Sequence, residues 1–160
     1  MGFNDSAPST AEVLYLRTLE VRDHRRYVEW AEQMLIGGSD SPCLRILAGE
    51  SDPVDLQLID RTFQELEIRQ PETMAEIGRA FASARIQQLL DGAADMGAVL
   101  HDLCDLCIRL DYARDLYDFY RLHFAYDDLE EYGNQHDWAD ATAENIGAIV
   151  LDRCRTWLRE

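Results

Sequence analysis

The sequence predicts an all-α protein, a single compact bundle of five to seven helices. Three observations lead to that expectation. Apolar residues recur at helical spacing over nearly the whole chain. No alternating strand-like run of any length, and no internal repeat, is present. Turn and capping residues fall where the helical spacing starts and stops.

The elements follow in chain order. Residues 1–10 read as a flexible tail and 11–160 as one helical domain. A first helical region is expected from about Ala11 to Ile36, with Tyr27, Trp30, Ala31, Met34 and Leu35 on its inner side. The stretch "GGSDSP" (Gly37 to Pro42) stops it, and "CLRILAG" fits a short helix. In "SDPVDLQLIDRTFQEL", Asp52 is expected to cap a helix, with Pro53 in the first turn and Asp55 complementing the dipole. Leu56, Ile59, Phe63 and Leu66 form its apolar stripe. Pro71 opens the next helix, which carries Met74, Ile77, Phe81 and Leu89. A turn near "DGAAD" precedes a long helix from about Met96, which runs to about His123 or bends near Asp111. After a loop at "EYGNQHDW", a last helix runs from about Thr142 to Leu158.

Bulk properties narrow the function. The 160 residues are 47% hydrophobic and 29% charged, as in an ordinary folded domain. No stretch of about 18 apolar residues predicts a transmembrane helix. The first residues lack the basic and apolar regions of a secretion signal, so a cytoplasmic location is expected. Met1-Gly2 with Ser6 matches a myristoylation string, but no basic patch supplies a second anchor. The formal net charge is −16, from 31 acidic residues and 15 basic ones, every one of the latter arginine. That balance argues against nucleic acid and anionic membrane as partners, and favours a cationic protein. The four cysteines, Cys43, Cys104, Cys107 and Cys154, read as reduced, half-buried thiols.

No G-x-S-x-G, P-loop or G-x-G-x-x-G string occurs, so no enzyme activity and no cofactor is expected. His101, Cys104 and Cys107 have metal-ligand composition but lack a second ligand pair. The doublet His101-Asp102 resembles that of the metal-dependent HD phosphohydrolases, an alternative reading that would use Asp105 as well. The carboxylate pairs Asp102/Asp105 and Asp115/Asp118 have spacing suited to a hard cation, but Arg109 and Arg114 stand four residues away for ordinary ion pairs.

The segment "RDLYDFYRLHFAYDDLEEYG" (Arg114 to Gly133) is the unusual one. Residues 112–138 hold eight of the fifteen aromatics, with seven acidic residues against two arginines. Residues 91–140 hold 13 acidic and 3 basic residues, a net of −10 out of −16. Leu116, Phe119, Tyr120 and His123 or Phe124 are expected to point inward. The remaining aromatics, ringed by carboxylates, suit a partner rich in Lys and Arg. The expected partner-binding residues are Asp115, Tyr117, Asp118, Asp127, Asp128, Glu130, Glu131, Tyr132 and Trp138.

"RILAGESDP" (Arg45 to Pro53) and the block "DLYDFYRLHFAYDDLEEYGNQHDWADATAENIGAIVLDRCRTWL" resemble small helical bacterial proteins of the polymorphic-toxin immunity type. The resemblance covers about a third of the chain and carries no catalytic signature. It implies a toxin-neutralising role: a cationic, nuclease-like toxin whose active groove is occluded. A non-catalytic adaptor that is merely kept soluble by its acidity is the plainer alternative.

Overall fold

The computed structural model describes residues 7–160. Most of the expected tail, and the Met1-Gly2 string with Ser6, lie outside the described residues. The described chain is all-α: α1 (Thr10–Thr18), α2 (His24–Ile36), α3 (Pro42–Ala48), α4 (Leu56–Glu65), α5 (Met74–Leu90), α6 (Met96–Arg109), α7 (Tyr117–Tyr132) and α8 (Ile146–Arg159). These eight helices among the described residues correct the expected five to seven.

The extra helices come from breaks that contain no glycine. Five helices end in the same cap, in which the two residues that follow the C-cap turn back to bond the last-turn carbonyls. Two of these caps place a glycine in the left-handed position: Gly38 (φ 99°) after α2 and Gly92 (φ 75°) after α5. The other three place an acid there: Glu20 (φ 56°) after α1, Glu67 (φ 54°) after α4 and Asp111 (φ 54°) after α6. The Glu20 turn divides the expected first helical region in two, with Asp23 accepting from the Arg25 N–H to start α2. The Asp111 turn divides α6 from α7. A side chain in the left-handed region costs about 1–2 kcal/mol, of which glycine's greater unfolded freedom takes back a part. Glu20→Gly and Glu67→Gly are therefore expected to stabilise the protein by up to about 1 kcal/mol each, read as a higher urea midpoint with unchanged slope.

Three starts also differ from expectation, one of them that of α8, which begins at Ile146 rather than about Thr142. Helix α4 begins at Leu56, capped by Asp55, whose carboxylate accepts from the Gln57 N–H at 2.9 Å; Asp52 is not its cap. Helix α5 begins at Met74 rather than Pro71, with the Thr73 hydroxyl accepting from the Glu76 N–H at 3.2 Å.

The chain divides inside α5 into two compact units, Ala7–Phe81 and Ala82–Glu160. In the first, α1 packs on α2, α2 on α3 and α3 on α4. Val13, Tyr27, Trp30, Leu44, Leu47, Ile59 and Phe63 form its core. Trp30 meets Phe63 edge-on at 5.6 Å, and its indole N–H donates to the Thr10 hydroxyl at 3.1 Å. The α1 start is a capping box, Ser9 with Glu12, and the buried Glu12 accepts from Arg26 at 2.9 Å. This arrangement answers the cost of burying a carboxylate with a cation and hydrogen bonds.

In the second unit, α6 packs along α7, and α7 meets α8. Leu100, Leu103, Leu106, Leu116, Phe119, Leu122 and Val150 are buried there. Arg85, also buried, donates to Asp102 at 2.9 Å and to Gln88 at 2.7 Å.

Candidate functional site

Helix α7 has two faces of different chemistry. Its inner side consists of Leu116, Phe119, Leu122, Ala125 and Leu129, all buried. Tyr117, Tyr120, Phe124, Asp127, Asp128 and Glu131 share the opposite arc at helical spacing. Aromatics occupy the first half of that arc and carboxylates the second. Of the two alternatives for the next inward position, His123 is the one that turns in and Phe124 is exposed, while Tyr120 is half-buried. The inner arc was already filled by leucines, Phe119 and Ala125, so these rings were left on the surface.

The rings touch in series. Tyr117 stacks on Tyr120 at 5.4 Å, and Tyr112, from the turn before α7, meets Tyr120 edge-on at 5.6 Å. Tyr120 meets Phe124 at 5.1 Å, Phe124 meets His123 at 5.1 Å, and His123 meets His101 of α6 at 5.7 Å. Tyr112 and Tyr117 are 51% and 43% exposed, and Ile108 nearby in sequence is also exposed. Large apolar groups left in water on one face are the usual mark of an interaction surface.

The expected partner-binding residues divide into groups. Tyr117, Asp127, Asp128 and Glu131 come together on the outer arc of α7, with Tyr132 at its end, 66% exposed. Asp115 is half-buried in the turn before the helix. Asp118 turns toward α8, where Arg153 donates to it at 2.9 Å. Glu130 lies on the α8 side, lining with Tyr126, Leu129, Ala143 and Ile146 a pocket of about 90 Å³. That volume is well below the roughly 300 Å³ at which metabolite sites begin. Trp138 sits half-buried in the following loop, with the Arg121 guanidinium 5.2 Å from its ring. Arg121 also donates to the Asp137 carbonyl, which fixes that loop.

Sequence reasoning missed Tyr112, Tyr120, Phe124 and Ile108. Residue type alone does not separate a core ring from a surface ring. Tyr112 is placed by the turn at Asp111, a bend the sequence offered only as an alternative and without indicating where the ring would go.

The residues of the phosphohydrolase reading are engaged otherwise. Asp102 receives Arg85, and Asp105 receives Arg109 at 2.7 Å. Among the described residues, no group of three or more His, Cys, Asp or Glu side chains is placed to hold a metal ion. Nor is any described helix long and apolar enough to cross a membrane. Burial pushes the Cys104 and Cys154 thiols up to about 11. All four cysteines are free and buried. Thiol titration of the denatured, unreduced protein should therefore count four groups per chain; two would contradict it.

His123 is the titratable group under the rings. Its Nδ1 is buried without a hydrogen-bond partner, and its Nε2 lies 3.5 Å from Asp127. Burial holds its pKa below the ordinary 6.5, reinforced by His101 and opposed by Asp127. The unfolded chain then binds the proton first as pH falls. Stability tied to this group is intact above about pH 6.5 and declines as pH drops from there through the lower folded value. Unfolding midpoints at pH 7.5, 6.5 and 5.5 should fall more steeply in the native protein than in His123→Gln. Parallel declines would remove His123 as the cause.

The chain matches no protein family model, no curated protein and no solved structure.

Proposed function

We propose that this chain is a cytoplasmic binding protein of the immunity type, which neutralises a cationic, nuclease-like bacterial toxin by covering its active groove. The observation that supports the reading is the outer arc of α7, where exposed rings run into Asp127, Asp128 and Glu131. Carboxylates so placed compete with phosphate for a basic groove, while the rings supply contact area with few rotors. The net charge of −16 adds long-range attraction toward such a partner.

The test uses the protein as bait against the product of the neighbouring gene and against host extract at low salt. Partner association is then followed across ionic strength. Asp127→Asn with Asp128→Asn should slow association and flatten its salt dependence, since long-range attraction is screened beyond about 8 Å at physiological salt. An unchanged rate and slope would remove this face as the site. Capture of no basic protein at low salt would overturn the immunity reading itself.

A further inference from the structure

We propose that the Tyr112–Tyr120–Tyr117 cluster is a receptor for an arginine side chain of a basic partner. This rests on the reading above that the α7 face binds a cationic protein, and it names the group bound.

Two independent features carry it. The first is backbone strain. Asp111 and Tyr112 are consecutive non-glycine residues in the left-handed region, at φ 54° and 58°. Only the first of these is needed for the α6 cap; the corresponding second residues after α1 and α4, Val21 and Ile68, are not left-handed. The Tyr112 N–H bonds the Cys107 carbonyl at 2.8 Å, and the extra reversal brings its ring edge-on to Tyr120. Strain of this kind persists where surrounding structure enforces it, and it collects at functional sites. Here it holds a ring that is 51% in water.

The second feature is charge complementarity. Tyr112 and Tyr117 each touch the half-buried Tyr120, so two exposed rings belong to one aromatic cluster on the surface. Asp111 and Asp115 belong to the same turn, against the single cation Arg114, and Asp127, Asp128 and Glu131 continue the acidic character down the same arc. A ring face attracts cations through its quadrupole. Guanidinium suits it better than ammonium, because it is planar, weakly hydrated and stacks on rings. The acidic surroundings would repel an anionic partner and attract a cationic one.

The experiment compares two probes of equal charge, acetylated octaarginine amide and octalysine amide, by titration at low salt with the full chain. Octaarginine should bind about fivefold more tightly. The ratio should fall to near one in Tyr112→Leu and in Tyr117→Leu, and persist in Tyr112→Phe, which keeps the ring. Asp127→Asn with Asp128→Asn should weaken both probes and leave the ratio. Circular dichroism checks that each variant is folded, and either leucine variant alone suffices. Equal affinities in the native protein, or an unchanged ratio in a folded leucine variant, overturn the proposal. Because the probes are synthetic, a preserved arginine preference without any captured toxin would sink the immunity reading and leave this site standing. Toxin capture without arginine preference would do the reverse.

Discussion

Replacing Asp102 with alanine is expected to destabilise the Ala82–Glu160 unit by about 3 kcal/mol, the low end for breaking a buried ion pair. The Arg85 side chain is only 5% exposed and depends on Asp102 as its charge partner at 2.9 Å. Asp102 itself is 35% exposed, so water screens part of the interaction, which is why the low end applies. Removing the carboxylate takes this charge partner from a guanidinium that water reaches poorly, leaving it the Gln88 hydrogen bond. Arg85→Met, which removes the cation and keeps the volume, should cost much less. Urea unfolding of both variants decides the matter: an Asp102→Ala cost no greater than that of Arg85→Met would mean that the pair is not what holds this corner. The same variant bears on Asp102 as a catalytic candidate, since any lost activity must first be corrected for lost fold.

Trp30→Ala should cost the Ala7–Phe81 unit about 3–5 kcal/mol. The side chain is 1% exposed, packs edge-on against Phe63 and donates to Thr10. Its loss leaves a cavity among side chains already in contact, with only partial collapse. Trp30→Phe restores most of the volume but leaves the Thr10 hydroxyl without that donor, and a cost of about 1–2 kcal/mol is expected. Chemical denaturation measures both, and an alanine variant within about 1 kcal/mol of the native protein would show that the site collapses freely. Every residue of the tyrosine cluster lies in the other unit, so folded Trp30→Phe should bind octaarginine as the native protein does.

The all-α class and most helices were legible because apolar spacing and capping residues carry their own physics. The turns at Gly37-Gly38 and Asp91-Gly92 were legible for the same reason: glycine marks a left-handed residue. The break near Asp111 was one of two alternatives the sequence left open, and the structure takes it; the turn at Glu20 was not legible, because an acid in that conformation looks like any helical surface residue. On α7, the carboxylates and Tyr117 could be assigned to the surface from charge and spacing. Phe124 could not. The helix carries more apolar residues than its inner arc accepts, and which of them is left out depends on how α6 packs against it. Asp118, Glu130 and Trp138 were grouped with the site by proximity in sequence, whereas Arg153, Tyr126 and Arg121 are their actual neighbours.

The buried thiols give each unit an internal reporter of its own opening. Cys43 belongs to Ala7–Phe81, and Cys104, Cys107 and Cys154 to Ala82–Glu160. A thiol reagent needs access and a thiolate, and the closed protein offers little of either at Cys104 and Cys154, whose pKa stands at about 11. Their modification must proceed through molecules in which that region is transiently undone. When reclosing outpaces labelling, the rate measures the population of such molecules, and hence a local opening free energy. Followed residue by residue, the four cysteines would show whether the two units open together or apart, with no probe added to the chain.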